Sequence, residues 1–149
     1  MLRAPAPLIG TLGATYMTPP IGTLWKSSGM RRLINAARYQ ADGIRYGLLH
    51  DPAIRQVSVG CIALSVAAVF LPVSRTERLI LVLSLMLIVL VEYINSALEA
   101  VVDRVSLDAH PLSKNAKDFG SVAVAIAVLM SGLCWVVIAG PVFFQWLSS

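Results

Sequence analysis

Three carboxylates recur at helical spacing in the stretch Glu92-Tyr-Ile-Asn95-Ser96-Ala-Leu-Glu99-Ala-Val-Val-Asp103. At about 100° per residue, Glu92, Ser96, Glu99 and Asp103 fall within a narrow arc, with Asn95 beside it. Tyr93, Ile94, Ala97, Leu98, Ala100, Val101 and Val102 fill the rest of the circumference. Several acidic groups on one helix face call for a cation. Hard oxygen ligands suit Mg²⁺, which takes one or two carboxylates and keeps its other positions for water and phosphate oxygens. A spare carboxylate beside such a site could deprotonate a hydroxyl as general base. A helix that had simply left an apolar environment at Glu92 would account for Asp103. It would not account for the apolar residues around the stripe.

The following segment, Asp108-Ala-His110-Pro-Leu-Ser113-Lys114-Asn-Ala-Lys117-Asp118, supplies the complementary charge. Lys117 is placed by sequence to meet an anionic phosphate, and Asp118 to hold Lys117 or a ribose. Neither G-x-x-x-x-G-K-[ST] nor G-x-G-x-x-G occurs in the chain, so the phosphate cradles of P-loop enzymes and protein kinases are both excluded. A kinase built from these residues would rest on positioning, magnesium and charge neutralisation. Cys61 and Cys134 lie in separate apolar stretches without metal-ligand spacing and read as two buried thiols.

The elements that must position these groups are membrane helices. Of 149 residues, 57% are hydrophobic and only 13% charged, with mean hydropathy +0.76; soluble domains carry about a quarter charged residues. Three apolar stretches follow one another: Val57–Val73, Leu79–Val91 continuing as helix past Glu92 to about Val105, and Ser121–Leu147. Spanning takes roughly 17–25 mostly apolar residues, so the second stretch qualifies only by carrying polar groups into the membrane. Acids at that depth are functional by default. Transmembrane helices are predicted over about 53–73, 77–104 and 119–147. Before them, residues 31–49 place Leu33, Ala37, Ile44 and Leu48 at helical spacing among Arg31, Arg32, Arg38 and Arg45, an amphipathic helix suited to an anionic membrane surface. Residues 1–29, with Pro5, Pro7, Pro19 and Pro20 and no sustained period, read as a flexible extension, Met17 and Met30 being alternative starts. Ten of the twelve Lys and Arg residues share one side of this arrangement. The positive-inside rule makes that side cytoplasmic, with the N-terminus in and the C-terminus out. The fold expected is all-α and integral to the membrane. Three such spans do not easily enclose a polar site alone, so an oligomer is expected.

The wording E-Y-I-N-S-A-L-E-A-V-V-D-R followed by L-S-K-N-A-K-D-F-G-S resembles the signature of the prokaryotic diacylglycerol kinase family, from about Arg31 to the C-terminus. The resemblance implies transfer of the ATP γ-phosphate to the primary hydroxyl of diacylglycerol, with Mg²⁺, in a homotrimer whose active sites form between subunits at the inner-membrane surface. It further implies Glu92 as base, and Glu99 and Asp51 as magnesium ligands. Arg32, Tyr39, Asp108, His110, Lys117 and Asp118 fall on nucleotide-contacting positions. Arg32, Ala36, Arg55, Gln56, Glu92, Ser121 and Trp135 fall on lipid-side positions. Asp51 is shorter than the Glu common in the family, and Val57 and Pro111 stand where acids are frequent. The N-S-A wording is closer to the Gram-negative diacylglycerol branch than to the undecaprenol kinase branch, the nearest rival.

Asp51-Pro52 also reads as a plain helix start, Asp being a favoured cap and Pro a favoured first residue. A proton- or cation-conducting membrane protein is the rival of a different class, since intramembrane acids also line ion pathways, but it has no use for Lys117-Asp118. Partners expected are diacylglycerol, ATP, membrane lipids and further copies of the chain, and no nucleic acid.

Overall fold

A computed structural model of the chain describes residues 29–148. The extension read over 1–29 lies, but for Gly29, outside the described residues. Four helices follow in order: α1 (Gly29–His50), α2 (Pro52–Phe70), α3 (Arg75–Val105) and α4 (Pro111–Leu147). The chain divides into two units, 1–40 and 41–149, with the boundary inside α1. The described part of the first unit is the opening of α1, where Met30, Leu33, Ile34 and Tyr39 are all exposed.

In the second unit, α3 packs against both α2 and α4. Its helices begin and end for local reasons. Asp51 is extended (φ −107°, ψ 110°) and caps α2, with Pro52 at the first helical position. Proline there has no N–H to leave unpaired and a φ already helical, and it keeps Asp51 out of the α region. Pro72 holds Leu71 extended in the same way and stops α2. The exposed carbonyls at that end are taken by Arg78, whose Nε donates to Ala68 O (3.1 Å) and whose Nη2 donates to Leu71 O (3.0 Å). The guanidinium thereby sits at the negative end of the α2 dipole. A capping box opens α3: Glu77 N–H donates to Ser74 Oγ (3.3 Å), and Ser74 N–H donates to Glu77 Oε2 (2.8 Å). His110 and Pro111 open α4 as Asp51 and Pro52 open α2, with Leu112 N–H donating to His110 Nδ1 (3.2 Å).

The core lies along α3. Cys61 from α2, Leu85 and Ile88 from α3 and Ala127 from α4 form one cluster, with Val57, Val89 and Trp135 packed on it. Ser84 Oγ donates to Leu81 O within α3 (2.8 Å). Its single proton is therefore used, and Ser131 Oγ must be the donor in the 3.0 Å contact joining α4 to α3. Such interhelical bonds in lipid average about 0.6 kcal/mol. Cys61 and Cys134 are free thiols.

Outside this core the helices expose large apolar side chains, among them Val59, Ile62, Phe70, Met86, Leu90 and Leu133. Apolar surface on that scale has no place against water. α2, α3 and α4 are each long and apolar enough to cross a membrane. The 19 residues of α2 rise about 28 Å, matching a hydrocarbon core of about 30 Å. α4, with 37 residues, rises about 55 Å and must project beyond it. Its helix opens at Pro111, ahead of the 119 suggested by hydropathy. Lys114, Lys117 and Asp118 lower the hydropathy of the first turns without disfavouring helix, so the helix and its lipid-compatible part start at different residues.

Candidate active site

The acidic stripe of α3 turns inward. Glu92 is only 6% exposed, and Asn95, Ser96 and Glu99 are half-buried, while Ile94, Ala97 and Val101 on the other side are exposed. The lipid-compatible residues thus face out and the polar ones face the neighbouring helices.

The end of α1 approaches this stripe closely because residue 47 is glycine. A Cβ there would lie 3.0 Å from a Tyr93 ring carbon and 3.1 Å from Ile54 Cδ1. The chain then turns at Asp51, where Asp51 N–H closes α1 on Gly47 O (2.9 Å). Asp51 is thereby delivered to α3. Its Oδ1 accepts from Ala53 N–H (2.9 Å) and Ile54 N–H (3.1 Å), and its Oδ2 accepts from Ser96 Oγ–H (2.7 Å). Partial burial works against the charged form of Asp51. The hydrogen bonds from Ser96, Ile54 and Ala53 outweigh it and hold the carboxyl below the ordinary Asp value.

One residue earlier on α3, Asn95 Nδ2 donates to Glu99 Oε1 (3.2 Å). Asn95 in turn is pressed against α4 at Gly120. A Cβ on Gly120 would collide with Asn95 Oδ1 and lie 3.3 Å from its Cγ. Asn95 Oδ1 is buried and accepts no hydrogen bond. Successive residues 95 and 96 therefore each donate to a different carboxylate. Asp51, Ser96 and Glu99 line one cavity of about 560 Å³, together with Tyr46, Gly47 and His50. Glu92 lies on the same face of α3 as Glu99, about two turns before it.

Among the described residues, no three His, Cys, Asp or Glu side chains converge on one metal position. The donor set on the cavity wall is a pair of carboxylates, Asp51 and Glu99. That fits a hard divalent cation that takes one or two carboxylates and leaves its remaining positions to water or phosphate. Glu92 stays outside the pair.

A turn further along α3 lies a second cavity of about 610 Å³, lined by Asp103, Ser106, Asp108, His110, Lys114 and Lys117. Lys117 Nζ donates to Asp103 Oδ1 (2.6 Å), joining α4 to α3. Lys114 pairs with Asp118 one turn along its own helix. Asp118 thus holds Lys114, and Lys117 is held by Asp103, the opposite of the pairing that adjacency in sequence suggested.

The other residues singled out from sequence are more scattered. Arg55 and Gln56 are exposed on the first turns of α2, and Ser121 is exposed on α4. Trp135 packs on the core cluster, its Nε1 buried and without a hydrogen-bond partner. Arg32, Ala36 and Tyr39 are exposed on the part of α1 that belongs to the first unit. The sequence reading assigned no role to Ser96, Asp103 or Gly120. Ser96 and Asp103 were findable, since both lie on the acidic arc. Gly120 carried no signal until α3 and α4 were packed.

The chain is similar to known proteins over most of its length. A family model described as prokaryotic diacylglycerol kinase matches residues 38–139. The diacylglycerol kinase of Escherichia coli (strain K12) is 40% identical over 112 residues, 75% of this chain and 92% of the relative. That of Pseudomonas aeruginosa is 41% identical over 111 residues, 74% of this chain and 90% of the relative. That of Haemophilus influenzae is 34% identical over 122 residues, 81% of this chain and 100% of the relative. The matched region contains the whole acidic stripe of α3, Asp51 at its side and Lys117 beyond it, and on that match the chain belongs to the prokaryotic diacylglycerol kinase family.

Proposed function

We propose that this protein phosphorylates the primary hydroxyl of diacylglycerol with ATP, giving phosphatidate and ADP at a membrane surface. The observation that carries the reading is the division of labour among three acids. Asp51 and Glu99 share the wall of one cavity, and Glu92 is buried on the same helix as Glu99 and does not line that cavity.

In this reading Glu92 takes the proton of the lipid hydroxyl. The hydroxyl oxygen bonds to the γ-phosphorus, the bond to the β,γ-bridging oxygen breaks, and ADP leaves. Asp51 and Glu99 would hold Mg²⁺, which when bound would supply positive charge against the phosphate chain. Lys117 meets the phosphate chain from the second cavity, and Asp108, His110 and Asp118 serve the nucleotide there. Support comes from the spacing of the two cavities, which are lined by Glu99 and Asp103, one turn apart on α3. In this reading a nucleotide seated on the second would direct its phosphates toward the carboxylates of the first.

The lipid side of the reaction falls to Arg32, Ala36, Arg55, Gln56, Ser121 and Trp135, and Arg32 and Tyr39 serve the nucleotide. The membrane is the inner one, with the N-terminus and the site cytoplasmic, the side that carries most Lys and Arg. The chain works as a homotrimer with sites between subunits. What supports this is the resemblance of the motif, and the open, apolar outer faces of α2, α3 and α4. The test is incubation of purified protein in mixed micelles with γ-labelled ATP, diacylglycerol and undecaprenol being offered side by side. Label in phosphatidate is the expected result. Label in undecaprenyl phosphate alone transfers the reading to the sister activity, and no label in either lipid overturns it.

A further inference from the structure

We infer that Ser96 is a positioning residue for the cation site: its hydroxyl turns Asp51 from a helix cap into a metal ligand. The inference rests on the proposed reading of Asp51 and Glu99 as the carboxylate pair that receives the cation.

Capping alone does not require Ser96. Both backbone donors of the α2 start converge on Oδ1 of Asp51, so the cap is complete with one oxygen. The terminal torsion of an Asp side chain is broad, and capping leaves Oδ2 without a defined direction. Ser96 supplies that direction from another helix, donating to Oδ2 at 2.7 Å across 45 positions of sequence. A helical serine ordinarily turns its hydroxyl back to a carbonyl of its own preceding turn, as Ser84 does here by donating to Leu81 O. Ser96 instead makes a short, charge-assisted bond to a carboxylate.

An ionised carboxylate offers about four acceptor sites. Three are taken, two on Oδ1 and one on Oδ2, leaving a single site on Oδ2. Asp51 would then take a cation through one oxygen only, the Oδ2 that Ser96 holds, and Asp51, Ser96 and Glu99 all line the same cavity. Asn95, the preceding residue, makes the matching bond to Glu99 Oε1. The Asn95-Ser96 pair therefore presets both carboxylates from a single turn of α3. This also gives a physical account of how the shorter Asp serves at residue 51: the hydroxyl reaches out from α3 to a side chain that α2 holds back as its cap.

The test measures metal binding directly. Mn²⁺, with a non-hydrolysable β,γ-imido analogue of ATP, is titrated into the full-length protein in detergent micelles and followed by electron paramagnetic resonance. Loss of an outer partner of a metal ligand costs about 10–100-fold in affinity. Ser96→Ala is expected to weaken Mn²⁺ binding by about that much, and Ser96→Thr, which keeps the hydroxyl, to restore it. In a double-mutant cycle with Asp51→Asn, the two losses should not add, because Ser96 acts through Asp51. Wild-type Mn²⁺ affinity in Ser96→Ala overturns the inference. If Asp51→Asn is weakened at the same time, only Ser96 has failed. If Asp51→Asn also binds Mn²⁺ normally, the ligand reading itself has failed. Additive losses overturn the inference as well, since Ser96 would then act somewhere other than on Asp51.

Discussion

Gly120→Ala is the smallest change that reaches the carboxylates from a distance. Gly120 is buried in α4, and an added methyl would collide with Asn95 Oδ1 and crowd its Cγ at 3.3 Å. Oδ1 is the end of a side chain, and on an open surface it would move aside at little cost. Here it is buried, and the amide nitrogen of the same group is bonded to Glu99. Either Asn95 rotates and releases Glu99, or α3 and α4 separate. Overpacking a well-packed site costs about 1–3 kcal/mol. Replacing glycine by alanine inside a helix returns about 1 kcal/mol. The net loss of stability is then roughly 0–2 kcal/mol, small beside the expected effect on the metal. Metal dependence decides it. Release of Glu99 removes an outer partner from the carboxylate pair, and the magnesium concentration for half-maximal activity should rise about 10–100-fold. The assay is phosphorylation of diacylglycerol in mixed micelles across a magnesium titration, with a thermal melt of the same protein. Gly120→Ala with wild-type magnesium dependence would refute the claim that Asn95 holds Glu99 in place.

Further predictions concern the caps and the charges. The Asp51 carboxyl is held below the ordinary Asp value, so its contribution to stability is complete above that value and is lost as pH falls through the lowered folded one. Acid denaturation curves of Asp51→Asn should lack the corresponding fall in that window, and curves that superimpose on wild type would remove this residue from the acid response. Asp103→Asn should free Lys117 and raise KM for ATP more than it lowers kcat, as loss of uniform binding does; an effect on kcat alone would contradict the placement of Lys117 on ground-state phosphates. Arg78→Ala leaves two carbonyls at the end of α2 without their donor. At about 1.5–3 kcal/mol for a hydrogen bond to a charged group, thermal stability in micelles should drop measurably while the magnesium dependence of activity stays at its wild-type value.

What could be read from sequence and what could not divide along a physical line. Regularities that repeat within one element were visible. The helical arc survives as the inward face of α3 at Glu92, Ser96 and Glu99, and only Asp103 at its end is exposed, because a 3.6-residue period needs no knowledge of neighbours. The start of α2 was visible too, since Asp51-Pro52 is a local signal. Contacts between elements were not. Adjacency suggested Asp118 as the partner of Lys117, yet neighbouring residues on a helix point about 100° apart while residues four apart share a face. Lys114 therefore takes Asp118, and Lys117 reaches across to Asp103. The bond from Ser96 to Asp51 spans 45 positions, and the crowding of Asn95 by Gly120 exists only once α4 lies against α3. Hydropathy, finally, locates lipid rather than helix, and so it could not show that α4 begins at Pro111.

The central claim is that the buried carboxylate of Glu92 is the base. Glu92→Gln keeps the size and packing of the side chain while removing its ability to accept the proton of the lipid hydroxyl. Turnover of diacylglycerol at saturating magnesium and ATP is the deciding measurement, taken together with Mn²⁺–nucleotide binding to the same variant. In Glu92→Gln, kcat should fall by about 10²–10⁴ while metal and nucleotide still bind, because a base acts in the transition state. Wild-type turnover in Glu92→Gln would contradict it and return this residue to the status of a buried polar side chain on α3.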